Sequence, residues 1–319
     1  MSSIPTRAHA VRVHAFGGND QLQFDEVDVP APGEGEVLVR VAGAGVNPVD
    51  WKIVRGRLAS FIHTELPFTP GWELSGTIVA RGHAARRFSE GDAVYGYVRR
   101  PTIQHGAYAQ YQIVPEAYLA AAPQKLALAD AGAVPLAALT AFQALFDASK
   151  LARGETVLVL GASGGVGAFA VQLAKIAGAR VIAVASQRNE SFVRALGADE
   201  FVAYDQGDVS SPLAIERESV DLLFDCVGAA SASRCAGALR ASGRAVSITQ
   251  SSAPEAFGAV PWRYVFVEPN SAQLATLATH IDAGALAVHV SERVPLARAR
   301  DAHASVESGH TRGKILLVP

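Results

Sequence analysis

Residues Val157-Leu-Val-Leu-Gly-Ala-Ser-Gly-Gly-Val-Gly167 join an apolar strand to a helix through a glycine-rich loop. The glycines permit a tight turn, and amides at a helix start can hold a pyrophosphate. Ala162 occupies the first position of the G-x-G-x-x-G spacing, which usually carries glycine. An ordinary turn is the alternative, but the strand before the loop and the helix after it favour dinucleotide binding. The predicted phosphate-binding residues are Ser163, Gly164, Gly165 and Val166.

Strands and helices alternate through the rest of this half of the chain. The predicted strands are Thr156–Leu160, Val181–Ala185, Phe201–Ala203, Val220–Phe224 and Ala245–Ile248, and the predicted helices are Val166–Ala177, Ser191–Leu196 and Ser231–Arg240. Apolar strands interleaved with helices indicate a parallel sheet that is covered on both faces. This half therefore has the pattern of an α/β domain.

The first third of the chain reads as β-rich, and 319 residues suit two domains. The predicted strands are Val11–Val13, Leu22–Val29, Glu36–Val41, Leu74–Arg81, Ala93–Val98 and Ala107–Val114. Short strands between Gly and Pro clusters suggest a barrel or a sandwich. Asp130–Lys150 looks helical. A helix from Ser271, a strand near His289, a helix at Ala297–Val306 and the strand Lys314–Val318 are expected to fold back onto the first domain.

Composition argues against several classes of partner. The net charge is −2, and no basic run suits the neutralisation of nucleic-acid phosphates. The two cysteines, Cys226 and Cys235, form no Cys-x-x-Cys pair and predict free thiols. The first 13 residues lack a signal-peptide core, and no apolar run reaches the roughly 18 residues that cross a bilayer. We expect a cytoplasmic protein without a nucleic-acid or membrane partner.

The end of the second predicted strand bears on the choice of nicotinamide cofactor. NAD-specific sites usually place Asp or Glu there to bind the ribose 2′-hydroxyl. This chain has Ser186-Gln-Arg-Asn189 and no carboxylate at the tip. Ser186 and Arg188 can bind a 2′-phosphate, and Tyr204 after the third strand is a weaker candidate. The pattern favours NADPH, unless Arg188 is only a solvated loop residue.

Motifs along nearly the whole chain resemble the medium-chain dehydrogenase/reductase superfamily, and more closely its quinone oxidoreductase branch. Besides the glycine loop, they are Asn47–Lys52, Pro70–Gly76, Gly91–Gly96, Pro135–Ala141, Leu196–Asp199 and Arg312–Ile315. The resemblance implies a GroES-like β-barrel domain (1–128 and 271–319) plus a Rossmann domain with a doubly wound parallel sheet (129–270). It also implies an active site in the cleft between them, and a homodimer joined through an edge strand at Trp262–Val267.

The zinc enzymes of this superfamily bind catalytic zinc through Cys and His. The corresponding positions here are Asn47 and Trp72, and no Cys precedes Cys226, so the four-cysteine structural lobe is missing. The nine histidines show no His-x-x-x-His pairing and are expected to be surface or packing residues. We predict no metal site. Without a Lewis acid, alcohol oxidation loses its usual means of stabilising an alkoxide.

Reduction of an electron-poor acceptor needs less assistance. The predicted reaction transfers hydride from NADPH to a quinone or an α,β-unsaturated carbonyl compound, and negative charge then develops on the carbonyl oxygen. Lys52 is assigned as the donor to that oxygen, since the resemblance places this lysine near substrate and cofactor. Asn47 is predicted near the nicotinamide, and Asp50 is predicted to orient one of the two.

The geometry of this segment has alternatives. In an extended chain Asp50 and Lys52 share a face and Asn47 does not, although a turn at Pro48 could bring the three together. Asp50 and Lys52 could instead form a structural ion pair, and Glu73 is expected to play a supporting structural role. Further predicted cofactor contacts, carried over from the resemblance, are Thr140, Cys226, Val227, Ser247, Ile248, Phe266 and Val267.

Two other functions remain open at this level. One is a different alkene or alcohol oxidoreductase of the same superfamily. The other is an NADPH-binding regulatory or structural protein with little turnover.

Overall fold

The computed structural model describes residues 4–206, 211, 213–249, 257 and 260–319. The chain packs into two compact units. Unit 1 comprises the described residues up to Leu136 together with Glu268–Gly284 and Val288–Pro319, and unit 2 comprises the described residues of Ala137–Val267 together with Ala285–Ala287.

Unit 1 consists mainly of antiparallel strands. β1 (Arg7–Val13) pairs with β2 (Leu22–Asp28) in a two-stranded sheet. The other strands are β3 (Glu36–Val46), β4 (Glu73–Arg81), β5 (Ala93–Tyr97), β6 (Tyr111–Pro115), β7 (Leu119–Ala121), β14 (Val290–Pro295) and β15 (Lys314–Val318). They form one sheet in the order β14-β15-β3-β4-β5-β7, and β6 pairs with β3. The C-terminal strands therefore complete a sheet that the first third of the chain begins.

Helices occupy the connections of unit 1. They are α1 (Pro48–Val54), α2 (Leu128–Ala131), α7 (Ser271–Asp282) and α8 (Ala299–Glu307). Helix α1 decides between the two geometries considered for this segment: it is not extended, and the chain turns into a helix at Pro48. Asn47 has β-region backbone angles and precedes Pro48 at the first helical position, an arrangement that starts a helix. Strand β6 also begins at Tyr111, four residues later than the predicted start at Ala107, and β7 was not predicted.

Unit 2 contains a six-stranded sheet in which every neighbouring pair is parallel. Its strands are β8 (Thr156–Leu160), β9 (Arg180–Ala185), β10 (Glu200–Ala203), β11 (Val220–Asp225), β12 (Leu239–Ser247) and β13 (Trp262–Tyr264). Their order is β10-β9-β8-β11-β12-β13, which in chain order within this sheet is the 3-2-1-4-5-6 arrangement of a Rossmann domain. The predicted doubly wound parallel sheet is confirmed.

The helices of unit 2 are shorter than the sequence suggested in two places. They are α4 (Gly165–Ile176), α5 (Glu190–Ala195) and α6 (Ala229–Ser233), and α3 (Pro135–Phe142) is followed by one π-helical turn at Gln143–Ala148. Asp130–Lys150 is therefore not one helix. The predicted helix Ser231–Arg240 is also wrong at its end, because Leu239 and Arg240 already belong to β12 and Leu239 pairs with Val220.

The core of unit 2 lies around the central strands. All five residues of β8 are buried, which fits its uninterrupted apolar sequence. Gln172 of α4 ties the segment at Ala287 to this unit: Ala287 N donates to Gln172 Oε1 at 2.7 Å, and Gln172 Nε2 donates to Ala287 O at 3.1 Å. Over the described part of the chain, no helix is both long enough and apolar enough to cross a membrane.

Candidate active site

The glycine loop lies between β8 and α4. Gly161 has a φ of +72°, a conformation that favours glycine, and α4 begins after Gly164. A Cβ on Gly167 would lie 2.2 Å from Gly161 O, so only glycine allows the first turn of α4 to pack against the loop. The first backbone hydrogen bond of the helix runs from Ala168 N to Gly164 O. The N–H groups of Gly165, Val166 and Gly167 therefore have no partner within the helix and can donate hydrogen bonds to an anion, whereas Gly164 N donates to Gly161 O at 3.0 Å.

These features fit a dinucleotide pyrophosphate. Ala162, the departure from the glycine spacing, is fully buried and donates its N–H to Val184 O at 3.0 Å. Its side chain is packed in the interior, so the missing glycine does not narrow the loop. The predicted phosphate-binding positions 163–166 all lie at this turn.

The end of β9 is connected to the glycine loop by a buried asparagine. Asn189 Nδ2 donates to Ser163 Oγ at 3.0 Å and to Ser186 Oγ at 2.9 Å. The predicted residues Ser163 and Ser186 are therefore held together, whereas Arg188 and Tyr204 have exposed side chains. Sequence reasoning missed Asn189, although an amide three residues after a strand-end serine is a signal that could have been used.

A carboxylate also lies at this tip. Gln187 N donates to Asp205 Oδ1 at 2.9 Å, and Tyr204 N donates to Ala185 O at 3.1 Å. The sequence shows no acidic residue at the end of β9, but the structure brings Asp205 there from the end of β10. The expectation of a tip without a carboxylate is therefore wrong. Parallel strands end at the same edge of a sheet, which is why a residue 18 positions away reaches the loop.

The predicted contacts that follow β11 and β12 meet around Asp225. Its Oδ1 accepts from Val227 N and Gly228 N, each at 2.8 Å, and its Oδ2 accepts from Ser247 Oγ at 2.9 Å. Ile248 N donates to Asp225 O at 3.1 Å, and the side chain of Val227 lies beside Gly161. The structure thus gathers Cys226, Val227, Ser247 and Ile248 at the loop edge of the sheet. Asp225 itself was missed.

The other predicted cofactor contacts lie on separate elements of the chain. Thr140 is a buried residue of α3. Phe266 and Val267 follow β13, where Val265 N donates to Ser247 O at 2.8 Å. Phe266 is exposed and Val267 is buried.

In unit 1, the start of α1 is fixed by Asp50. Its Oδ2 accepts from Asn47 N at 2.8 Å and from Tyr108 Oη at 2.9 Å, and its side chain is fully buried. Burial raises the pKa of Asp50 to about 7, against the opposing effects of the Asn47 N–H, Tyr108 and Lys314. Asp50 thus holds the backbone of Asn47 in place. It does not form the ion pair with Lys52 that the sequence left as an alternative.

Tyr108 extends this contact to a buried histidine. His303 Nε2 lies 3.3 Å from Tyr108 Oη, and the two rings meet edge to face. Burial lowers the pKa of His303 to about 4, so its imidazole is neutral at physiological pH. The sequence predicts only a surface or packing role for each histidine. It does not predict that Tyr108 links His303 to Asp50, because the three residues lie far apart along the chain.

A buried polar cluster joins Asn47 to Glu73 and Lys314. Asn47 Nδ2 donates to Glu73 Oε1 at 2.7 Å, and Lys314 Nζ lies 2.8 Å from the same oxygen. Lys314 also donates to Asn47 Oδ1 and, at 3.1 Å, to Val46 O. Both ends of the Asn47 amide are therefore engaged inside the unit. Leu136 N donates to Glu73 Oε2 at 2.7 Å, so both carboxylate oxygens have partners.

Gly45 allows this cluster to form. A Cβ at that position would lie 2.2 Å from Glu73 Oε1, closer than any real contact. Trp72, the other residue at a zinc-ligand position of the resembling enzymes, is buried against Tyr97. Among the described residues, no three His, Cys, Asp or Glu side chains come together in a group that could hold a metal ion.

Lys52 has different surroundings. Its side chain is half-buried, and its Nζ lies 5.7 Å from the centre of the Trp51 ring system. Burial and then the nearby charge of Arg57 lower the pKa of Lys52. In the part of the chain that the structure describes, no carboxylate forms an ion pair with Lys52. A partly desolvated, unpaired ammonium of this kind is suited to donate to an oxygen on which negative charge develops.

Comparison with known proteins gives matches along the chain. Residues 33–124 match a family model described as alcohol dehydrogenase GroES-like domain, and residues 196–317 match one described as zinc-binding dehydrogenase. The first match confirms the predicted GroES-like domain.

Curated relatives extend the similarity to nearly the full length. The chain is 31% identical to the chloroplastic quinone-oxidoreductase homolog of Spinacia oleracea, over 98% of both chains. It is 32% identical to the chloroplastic NADPH-dependent alkenal/one oxidoreductase of Arabidopsis thaliana, over 100% of this chain and 81% of that protein.

Solved structures agree with these relatives. The quinone oxidoreductase of Coxiella burnetii superposes with a TM-score of 0.87 at 28% identity, over 98% of this chain and 99% of that one. A mycobacterial protein complexed with NADPH superposes with a TM-score of 0.83 at 28% identity, over 98% of this chain and 100% of that one.

Proposed function

This chain belongs to the medium-chain dehydrogenase/reductase superfamily, and from that premise we propose that it reduces a quinone or an α,β-unsaturated carbonyl compound with NADPH and without zinc. The superfamily comprises oxidoreductases that use a nicotinamide cofactor. The choice among acceptors draws support from relatives named as quinone oxidoreductases and as an alkenal/one oxidoreductase.

The buried cluster of Asn47, Glu73 and Lys314 carries the zinc-independent part of the proposal. Amide and ammonium groups surround the Glu73 carboxylate, and Asn47 and Trp72 provide neither thiolate nor imidazole. Zinc in proteins is bound by thiolate, imidazole and carboxylate groups. A cation that is already supplied by the chain leaves no charge for the metal to balance, so a reaction without Lewis-acid assistance is favoured.

When bound, the reduced nicotinamide supplies the hydride. The residues of unit 2 do the binding: the amides of the glycine loop hold the pyrophosphate, and the cluster around Asp225 fixes the loop edge beside it. Ser186 and Arg188 favour a 2′-phosphate, while Asp205 opposes it. A preference for NADPH therefore depends on Arg188 outweighing Asp205.

Lys52 stabilises the charge that develops on the acceptor. Hydride addition to the β-carbon of an enone, or to a quinone, leaves negative charge on oxygen, and the Lys52 ammonium donates to that oxygen. Asp50 and Asn47 position α1, which carries Lys52, through the hydrogen bond at the helix start. Solvent supplies the proton that completes the product.

Two further statements belong to this proposal. The protein is expected to be a cytoplasmic homodimer. The predicted interface strand Trp262–Val267 is shorter in the structure, where β13 spans Trp262–Tyr264, and β13 pairs only with β12 among the described residues. Edge strands offer free backbone groups to a second copy. No nucleic-acid or membrane partner is proposed.

The test is oxidation of NADPH in the presence of a benzoquinone, an enone or an aldehyde, with NADH as the cofactor control. We expect turnover with the quinone or the enone, weaker turnover with NADH, and no loss of rate after dialysis against a zinc chelator. Tight NADPH binding with inert quinones and enones would contradict the proposal and favour a regulatory role. Oxidation of a simple alcohol that the chelator abolishes would favour a zinc enzyme.

A further inference from the structure

Three cationic side chains surround Trp51 in unit 1. Lys52 Nζ lies 5.7 Å from the ring centre, Arg55 Cζ lies 5.9 Å from it, and Arg57 Cζ lies 5.0 Å from it. Because all three lie within 6 Å of one point, no two of these charges are more than about 12 Å apart. Attraction of the cations to the indole face accounts for part of this arrangement.

Among the residues that the structure describes, an ion pair neutralises only one of the three charges. Arg55 forms an ion pair with Glu307, in which Nη2 and Oε1 are 2.5 Å apart. Within the described ranges, neither Lys52 nor Arg57 forms an ion pair with a carboxylate. The pKa of Lys52 is accordingly lowered, first by burial and then by Arg57. Two like charges that repel each other beside an aromatic face are stabilised when an anion joins them.

We propose that Arg57, beside Trp51, binds a carboxylate or phosphate group of the acceptor while the neighbouring Lys52 faces its carbonyl oxygen, so that the substrate is an enone that also carries such an anionic group. The inference rests on the proposed function. A planar guanidinium binds such groups with two parallel hydrogen bonds, and an ammonium adds a point charge. The flat indole face suits the conjugated part of the same molecule. Arg57 is exposed and therefore accessible to a ligand from solvent.

β-Acetylacrylate is the probe for this class. Hydride adds to the carbon that bears the carboxylate, the electron pair of the double bond moves to the ketone oxygen, and a solvent proton then converts the enolate to levulinate. NADPH is oxidised to NADP⁺ in the same step. In this scheme Lys52 faces the ketone oxygen and Arg57 faces the carboxylate. The methyl ester of β-acetylacrylate has the same enone but no charge.

The experiment compares kcat/KM for the acid and for its methyl ester. For the acid, we expect Arg57→Gln to lower kcat/KM about fivefold, as fits one partly exposed charge contact. The ester should change by less than about twofold, Arg57→Lys should restore most of the loss, and added salt should weaken the preference for the acid. Arg86→Gln, which removes an exposed arginine of the same unit, is the matched control and should leave both values unchanged.

Equal losses for acid and ester would overturn the inference, because they would assign Arg57 a structural role. The same holds if the wild-type protein does not prefer the acid. The anion that Arg57 binds could belong to the acceptor or to the cofactor. Calorimetry with NADP⁺ alone distinguishes these two sources. Weaker NADP⁺ binding by Arg57→Gln would mean that Arg57 binds the cofactor, which also overturns the inference.

Failure of the proposed function is distinguishable from failure of the inference. If neither β-acetylacrylate nor its ester oxidises NADPH, the proposed hydride transfer fails for this enone with and without the charge. Titration with levulinate and methyl levulinate then still tests the anion site without turnover. Levulinate binding that is lost in Arg57→Gln supports the site, and equal binding of both compounds contradicts it.

Discussion

Lys314 Nζ lies 2.8 Å from Glu73 Oε1, and both side chains are buried. The two residues begin β15 and β4, so a single ion pair joins the C-terminal strand of the chain to the centre of the sheet in unit 1. Removing ions from water is costly, and such a pair is maintained only when additional hydrogen bonds satisfy the remaining atoms. Asn47, Val46 and Leu136 supply these bonds.

Lys314→Met should therefore destabilise the protein strongly. The substitution leaves the Glu73 carboxylate buried without its cation, and we expect the free energy of unfolding to fall by about 3–5 kcal/mol. Urea unfolding, followed by circular dichroism, measures the change. Arg298→Ala removes the exposed pair with Asp301 and should cost less than about 1 kcal/mol. Adding Glu73→Gln to Lys314→Met should recover part of the loss, and no recovery would contradict this account of the pair.

Gly167→Ala tests the close packing of α4 on the glycine loop. The new Cβ would lie 2.2 Å from Gly161 O, so the helix start has to shift, at a cost of roughly 1–3 kcal/mol. Gly164→Ala is the control, because its Cβ would lie 3.3 Å from the same oxygen and its φ of −78° suits alanine. Thermal unfolding should show a lower midpoint for Gly167→Ala than for Gly164→Ala. Equal midpoints would mean that the loop adapts without strain.

The segment from Asn47 to Lys52 shows what the sequence can predict and what it cannot. It contained the signal for a helix start, since Asn at the N-cap, Pro at the first helical position and Asp at the third form a recognisable pattern. Sequence reasoning alone leaves an extended segment and a turn at Pro48 as alternatives and does not predict the helix. The partners Tyr108, His303 and Lys314 lie far along the chain, and only tertiary packing brings them to this helix.

Unit 2 was more predictable because its strands are apolar on both faces, so their sequences stand out as uninterrupted runs. The polar residues that organise the loop edge were not predictable in the same way. Asp205 accepts from Gln187 N at the end of the neighbouring strand β9, and Asp225 accepts from Ser247 Oγ of the neighbouring strand β12 as well as from the nearby amides of Val227 and Gly228. No spacing in the sequence specifies the contacts between strands. The end of the predicted helix Ser231–Arg240 failed for a similar reason, since pairing of Leu239 with Val220 outweighs local helix propensity.

Lys52→Met tests the donor assigned to the carbonyl oxygen. Loss of one donor that acts on the transition-state charge is expected to lower kcat for an enone by roughly 100-fold to 1,000-fold. The dissociation constant of NADPH, measured by fluorescence titration, should stay within about twofold, because Lys52 is assigned no contact with the phosphates. Lys125→Met, at an exposed lysine of the same unit, is the control. An unchanged kcat/KM for the enone in Lys52→Met would remove Lys52 from the reaction.

Arg188 and Asp205 should shift cofactor preference in opposite directions. Arg188→Gln removes a charge that favours the 2′-phosphate, and kcat/KM for NADPH should fall about tenfold while that for NADH stays constant. Asp205→Asn removes the opposing carboxylate but keeps an oxygen that can accept from Gln187 N, so the ratio of NADPH to NADH should rise. The ratio of the two kcat/KM values is the measurement. A fall for both cofactors alike would show that these residues only support the loop.

Asp50 and His303 should affect the pH dependence of stability with opposite signs. The pKa of Asp50 is about 7 in the folded protein, above its ordinary value of 3.8. Between these two pH values the folded state binds the extra proton, so stability falls as the pH rises. The pKa of His303 is about 4 in the folded protein, below its ordinary value of 6.5, so the unfolded chain binds the extra proton and stability falls as pH drops. Between about pH 4 and pH 6.5 the two slopes oppose each other.

Relative to wild type, Asp50→Asn should therefore become more stable as pH rises and His303→Gln less stable, each by on the order of 1 kcal/mol per pH unit. Glu73, Lys314 and Tyr108 are present in both variants and cancel in the comparison. Urea unfolding across this range measures both slopes, and slopes of the same sign would contradict the assigned protonation states.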